Sequence, residues 1–215
     1  MLTLGAIWFT SRQNHDREIA RDQYQNDRNI SFDNQHEAGL QAYIDNMSEL
    51  LLEKKLRYSQ SKDEVRNIAR VRTVTTLSRL DSERKGRVLH FLYESELIMK
   101  GNKIVDLSYA DLSNANLVQF DKSGADLSGT DLSGANLSGA KLIGTNLSGA
   151  NLSRANLQGA NLSGADLSRA NLQGAKYNTK MMQWMNAQGI PLTLEPTQWP
   201  QGFLYGYAGL ICVDC

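Results

Sequence analysis

Hydrophobic positions recur every five residues from residue 105 to residue 179. This segment reads as 15 consecutive pentads, and Leu is the central residue in 13 of them. A period of five fits neither an α-helix nor a heptad seam. It fits a short extended segment followed by a turn, because residues two apart then point to the same side. Segments so short cannot bury an apolar face alone, so the pattern predicts a solenoid with leucines stacked inside.

The last position of each pentad is the predicted turn. Nine glycines occupy it, as expected for a tight turn. Other pentads carry a bulkier residue there: Tyr109, Asn114, Gln119, Arg154 or Arg169. The sequence therefore predicts that not every turn requires a positive φ.

The A-[DN]-L-x-x pentads resemble those of the pentapeptide-repeat family. The resemblance implies a mainly β fold, a right-handed quadrilateral β-helix with four pentads per coil, preceded here by a small α-helical bundle. Asn116, Asn136 and Asn156 would then form an outward ladder. The inward structural ladder would comprise Leu107, Leu112, Leu117, Leu127, Leu132, Leu137, Leu142, Leu147, Leu152, Leu157, Leu162, Leu167 and Leu172.

One pentad departs from the pattern, since Phe120 replaces the inward Ala and Lys122 the central Leu. We predict that Phe120 fills the space while the Lys122 stem carries its ammonium group outward. An ion pair between Lys122 and the helical region is an alternative, and a ligand-binding lysine is a weaker one.

Residues 33–100 carry apolar positions at helical spacing. They predict three helices, over Asp33–Tyr58, over Asp63–Leu80 and after Asp81, where Ser82 is the expected cap. Such a bundle would cover the open strand edge of the first coil. The arginines of the second helix are expected to face solvent or pair with acids rather than bind nucleic acid: Arg66, Arg70, Arg72 and Arg79.

Residues 1–32 are a polar stalk or arm with a short apolar start that is too short to span a membrane. The stretches LQAYIDNMSELLLEKKL and LEPTQWPQGF resemble the flanks of cyanobacterial pentapeptide-repeat membrane proteins. Those relatives usually place two transmembrane helices before this region. The resemblance implies membrane association through the N-terminus or through missing upstream helices, and a location in the cytoplasm or at the cytoplasmic face of a membrane.

Residues 180–215 are expected to cap the last coil. Ile190, Leu192 and Leu194 alternate as in a short strand, and Trp184, Trp199 and Phe203 would cover the open leucine layer. Cys212 and Cys215 form a C-x-x-C, which is a weak metal or redox candidate without further ligands. We therefore expect no cofactor.

His15 and His36 are expected at the surface, and His90 at a bundle interface.

The charge balance of the chain restricts the classes of function that it can have. The chain has 23 basic and 23 acidic residues, which disfavours direct binding of nucleic acid. Residues 105–179 hold six acidic and five basic residues, whereas DNA carries one charge per roughly 1.7 Å of axis. We therefore expect a non-enzymatic scaffold that binds an unidentified protein partner. The alternative is a DNA mimic that binds gyrase or another topoisomerase.

Overall fold

A 49-residue helix, α1, runs from Leu4 to Leu52. The computed structural model describes residues 4–118, 121–177 and 211–212. The chain forms two units, Met1–Ala38 and Gly39–Cys215. The predicted boundary after residue 32 therefore falls inside α1, six residues before the division between the units.

The first unit is the amino-terminal part of α1, so the polar arm is a helical stalk. Every side chain from residue 12 to residue 35 is exposed. Arg28 lies over the rings of Tyr24 and Phe32, one turn to either side, with its guanidinium carbon 6.0 and 5.6 Å from their centres. Within the described part of the chain, no helix is both long and apolar enough to cross a membrane.

The second unit begins on the same helix, where an apolar stripe turns inward: Leu40, Tyr43, Met47 and Leu50 are buried. A 3-10 turn, Leu56–Tyr58, leads to α2 (Glu64–Leu77) and α3 (Ser82–Glu94). The Asp81 carboxylate accepts hydrogen bonds from the backbone N–H groups of Glu83 and Arg84. Asp81 is therefore the cap of α3, and the prediction of Ser82 is wrong by one residue.

A short antiparallel hairpin, β1 (Ile98–Met99) and β2 (Asn102–Lys103), joins α3 to the repeat. The repeat then coils as a solenoid. Parallel bridges connect residues 20 apart, from Asp111 with Asp131 to Asn156 with Lys176. Four pentads therefore make one coil, as the family resemblance implied.

The leucines lie inside the coils. All 13 central leucines are at most 7% exposed. They belong to one apolar cluster that continues into the buried faces of α1, α2 and α3. The bundle and the coils therefore share a core.

Corner residues of the coils are left-handed whether or not they are glycine. Tyr109, Asn114, Arg154 and Arg169 have φ between 55° and 65°, close to the values of the corner glycines. At these four corners the expectation that a bulkier residue avoids positive φ is therefore wrong, and Gln119 lies outside the described residues. The chain must turn in the same way at each corner, and a non-glycine residue adopts that conformation at a cost of about 1–2 kcal/mol.

The tail pairs with the last coil at one point. β4 (Ile211–Cys212) lies parallel to β3 (Lys176–Tyr177), with Cys212 opposite Tyr177. The strand predicted at Ile190–Leu194 and the covering aromatic residues lie outside the described residues. The predicted aromatic residues are Trp184, Trp199 and Phe203.

Candidate interaction surface

The hairpin closes the edge of the first coil with backbone hydrogen bonds. The N–H of Lys100 donates to the carbonyl of Gly124 at 2.7 Å, and the N–H of Asp126 donates to Ile98 at 2.6 Å. Met99 forms an antiparallel bridge with Ala125 between them. An open edge would expose unpaired backbone groups, so this hairpin performs the capping that we expected of the helical region.

Helix α3 lies directly on the first coil. The N–H of Asn116 donates to the carbonyl of Ser82 at 2.7 Å. A Cβ atom at Gly86 would approach the carbonyl oxygen of Asn116 more closely than van der Waals contact allows. Gly86 therefore permits this approach. An isolated glycine within a helical pattern is the sequence signal for such a close approach.

A lysine of α3 reaches the coil from the helix side. Lys85 is buried, and its Nζ donates to Asp111 Oδ1 at 2.9 Å and to the carbonyl of Ser113 at 3.1 Å. Burial raises the pKa of Asp111, but hydrogen bonds from Ser113 and Lys85 outweigh it and hold the pKa below its usual value. Sequence reasoning missed this pair, because its partners lie 26 residues apart.

A second lysine crosses the junction in the opposite direction. The Lys122 side chain is only 6% exposed, and its Nζ donates to Glu94 Oε1 at 2.7 Å. The same Nζ lies 4.5 Å from the centre of the Tyr93 ring. The expected outward course of the Lys122 stem is therefore wrong, and the alternative ion pair with the helical region is confirmed. Phe120 lies outside the described residues.

The Lys122 pair also shifts neighbouring groups. The hydrogen bond from Lys122, with its positive charge, lowers the pKa of Glu94. Burial raises the pKa of Tyr93, and the charges of Asp121 and Glu94 add to this effect. The Tyr93 hydroxyl donates to the carbonyl of Ser123 at 2.9 Å, which adds a further contact to the junction.

The three arginines of α2 hold neighbouring segments together, and Arg79 lies beyond the end of the helix. Arg66 donates to the carbonyls of Ser59 and Lys103. Arg70 donates to the carbonyl of Ser108 and lies 3.8 Å from Asp106. Arg72 donates to the carbonyl of Asn46, and Arg79 is exposed. These contacts support the structural role that we expected.

The histidines lie apart from one another in sequence and differ in exposure. His15 is exposed and His36 is partly buried. His90 is exposed on α3, 3.9 Å from Glu94, so its predicted place at a bundle interface is wrong. The apolar stripe of α3 is formed instead by Val88, Leu89 and Leu92.

Lysines neutralise the acidic residues of the first coils. Lys103 Nζ lies 3.1 Å from Asp106 and 3.6 Å from Asp126. Lys141 Nζ lies 3.0 Å from Asp121. Burial raises the pKa of Asp106, but hydrogen bonds from Ser108 and Lys103 outweigh this and lower it. Asp106, Asp121 and Asp126 are therefore each paired with a lysine.

Outward Asp and Asn residues organise the faces of the solenoid. Their side-chain oxygen accepts from the backbone N–H two residues later, as in Asn151 with Ser153 at 3.2 Å. Their amide groups also bridge coils, as in Asn156 to Asn136 at 3.3 Å, which is one step of the predicted ladder. The faces are therefore rigid and polar.

Metal ligands are not gathered in the described part of the chain, where no three His, Cys, Asp or Glu residues come together as a set that could hold an ion. Only the backbone of Cys212 falls within that part, and Cys215 lies outside it. The proposed role of this pair stays a prediction.

The repeat is similar to a known family model. The model described as pentapeptide repeats matches residues 106–144 and 135–174, with eight copies. Among curated proteins, none matches the chain.

Solved structures of pentapeptide repeat proteins are also similar. Rfr23 from the cyanobacterium Cyanothece 51142 is 39% identical over 31% of this chain and 42% of its own, with a TM-score of 0.25. A protein from the thylakoid lumen of Arabidopsis thaliana is 35% identical over 34% and 53%, with a TM-score of 0.22. A protein from Nostoc PCC 7120 is 33% identical over 47% and 83%, with a TM-score of 0.19. The matched part thus spans about half of the first two relatives or less.

Proposed function

Since the chain belongs to the pentapeptide-repeat family, we propose that it is a non-enzymatic scaffold whose right-handed β-helical rod binds a protein partner. Proteins of this family are generally structural or interaction proteins. The observation that carries the proposal is the division of side chains in the coils. Leucines fill the interior, and hydrogen-bonded Asp, Asn and Ser residues make fixed polar faces outside.

Rigidity supports a role in binding. A surface that is already ordered loses little conformational entropy when a partner binds. Here the faces are held by backbone bonds between coils, and the first coil is locked to α3 through Lys85 and Lys122. Such a rod holds bound groups at fixed separations.

Crosslinking in native cells, followed by purification of the full chain and membrane fractionation, tests this function. We expect one or a few proteins to crosslink reproducibly. A solenoid variant that cannot fold, such as Leu137→Lys, should lose them. The absence of any protein that depends on the folded solenoid would overturn the proposal.

We propose the cytoplasm as the compartment, because the chain has only two cysteines, three residues apart, and shows no disulfide framework. Association with a membrane stays a prediction from sequence resemblance. The same fractionation separates the two locations.

A DNA mimic that binds gyrase is the alternative function. Ion pairs in the described coils weaken this alternative further. Four acidic residues each lie within ion-pair distance of a lysine: Asp106, Asp111, Asp121 and Asp126. A supercoiling assay with gyrase distinguishes the two functions. Inhibition that persists at physiological salt would support the mimic.

A further inference from the structure

One face of the solenoid is bordered differently from the others. We define the second face as the side whose inner surface carries Leu112, Leu132, Leu152 and Leu172. The four non-glycine corner residues of the described pentads all border this face: Tyr109 and Arg169 along one edge, Asn114 and Arg154 along the other. The described corners of the other two edges are glycine, namely Gly124, Gly139, Gly144, Gly159 and Gly164.

These four residues are costly to keep. A left-handed residue with a Cβ atom is strained, most of all at the tyrosine and the two arginines, and glycine at the same corner would remove that strain. Tyr109 is 86% exposed, so burial of its ring does not offset the cost. Strain that is retained at the edges of one face suggests a use for that face.

The second face also holds a groove of about 520 Å³. Asn114 and Arg154 form its wall, and its floor includes Ser133, Asn151 and Ser153. A glycine in the next coil leaves room for the Asn114 part of this wall, since a Cβ atom at Gly134 would lie 2.5 Å from Asn114 Oδ1.

Two serine hydroxyls in this groove make no hydrogen bond to any described residue. In most pentads that contain serine, the serine hydroxyl donates to the Asp or Asn two residues earlier, as in Ser148 to Asn146 and Ser163 to Asn161. Within the described residues, the hydroxyls of Ser133 and Ser153 make no hydrogen bond, although their backbone N–H groups do. The groove therefore offers two hydroxyl donors to a ligand.

The two corner arginines of this face have no acidic partner in the part of the chain that the structure describes. No carboxylate among the described residues lies within ion-pair distance of Arg154 or Arg169. Of the acids on the same face, Asp111 pairs with Lys85, whereas Asp131 accepts hydrogen bonds from the neutral groups of Ser133 and Asn151 and has no cationic partner among the described residues, so the two arginines outnumber it. A ligand here would meet free donors and guanidinium groups.

We propose that the second face binds an extended acidic peptide segment of a partner protein. Its carboxylates pair with Arg154 and Arg169, its backbone carbonyls accept from Ser133 and Ser153, and Tyr109 supplies an aromatic contact at the far end. This inference rests on the proposed scaffold function and names the chemistry of the partner.

Fluorescence anisotropy with a labelled peptide of alternating Glu and Ser tests the proposal on the full chain. Peptides of alternating Lys and Ser, and of Gly and Ser, are the comparisons. We expect saturable binding of the acidic peptide alone. Arg154→Gly should weaken it by about 10- to 150-fold, because it removes charge-assisted hydrogen bonds to the peptide, and the variant should fold because glycine suits this corner.

Matched variants test whether the peptide binds on the second face. Ser153→Glu should abolish binding, whereas Ser163→Glu, at the same pentad position on another face, should leave it unchanged. Equal binding of all peptides, or binding that Arg154→Gly and Ser153→Glu leave intact, would overturn the peptide site without touching the scaffold function. Duplex DNA that competed as well as the acidic peptide would overturn it too.

Discussion

The first coil and the coils that follow are held by different means. Residues 125–175 repeat one arrangement, with bridges between residues 20 apart, inward leucines and outward Asp or Asn turns. Residues 105–124 share these bridges and inward leucines but are also held by α3, through Lys85, Lys122 and the close approach of Gly86, and the hairpin caps residues 124–126. Repetition thus specifies the later coils, whereas individual side chains specify the junction.

The junction adds charged pairs to the apolar core that the helices and the coils share. Lys85 extends from a helix to a coil carboxylate, and Lys122 extends from a coil to a helix carboxylate. Buried charges are costly unless paired, so each lysine is satisfied only when the bundle and the first coil are correctly aligned. The two pairs therefore favour one orientation of the cap.

The largest expected effect tests the later coils. Leu137→Lys places an unpaired ammonium in the core and should cost more than the roughly 2–5 kcal/mol of a Leu→Ala change. Thermal unfolding followed by circular dichroism should show loss of the folded solenoid. Ile143→Lys, at an exposed position of the same repeat, is the matched control and should unfold near the wild-type temperature. An unchanged Leu137→Lys protein would contradict the inward ladder.

The next effect tests the junction. Gly86→Ala should lower the free energy of unfolding by about 1–3 kcal/mol, because its Cβ collides with the Asn116 carbonyl. Gly39→Ala, in the interior of α1 with open space around it, should raise the same quantity by up to about 1 kcal/mol. Urea unfolding measures both. Equal changes in the free energy of unfolding of the two variants would show that α3 is not in close contact with the coil at Gly86.

Acid should weaken the junction before it weakens the leucine core. The folded-state pKa values of Asp106 and Asp111 lie below their usual value of 3.8. Their stabilisation is therefore complete above that value and is lost as pH falls through the lower folded values. The melting temperature should drop below about pH 4.

Asp111→Asn separates this effect from general acid unfolding. The variant should be less stable at neutral pH, because Lys85 loses its carboxylate, and its melting temperature should fall less steeply in acid. Asp45→Asn, on an exposed part of α1, should keep the wild-type slope. If both variants keep that slope, the Lys85 pair does not contribute to the acid response.

The smallest effect concerns the corners. Arg169→Gly should stabilise the solenoid by about 0.5–1 kcal/mol, because relief of the left-handed strain exceeds the added entropy of the unfolded chain. Gly144→Ala has open space around it but the same conformation, and should cost about 1–2 kcal/mol. Chemical denaturation measures the free energy of unfolding of both variants, which should change in opposite directions. Destabilisation by Arg169→Gly would mean that the arginine stabilises the fold.

The regular part of the molecule was predictable because its signal is local and repeated. Leucine at every fifth position specifies the interior, and Asp or Asn before it is free to bond the next turn. The conformation of the non-glycine corners was predicted wrongly. Glycine marks a position where positive φ causes no strain, but a different residue at a corner does not show that φ is negative there. Coil closure imposes the same φ on Arg154 as on Gly159.

The junction was harder to predict because its partners are distant in sequence. Lys122 was recognisable as an exception, but its partner Glu94 lies 28 residues earlier on a helix whose position the pattern does not give. Asp81 and Ser82 are both good caps by residue type, and only the backbone places the Asp81 carboxylate at two N–H groups.

The 20-residue coil has a consequence for how the length of this rod can change. Deleting or inserting one pentad would turn every later residue onto the neighbouring face and separate Arg154 and Arg169 from Tyr109 and Asn114. Deleting or inserting four pentads would leave each face in register and alter only the distance along the axis. Whole coils are therefore the unit by which such a rod can grow or shorten while the composition of its faces is preserved.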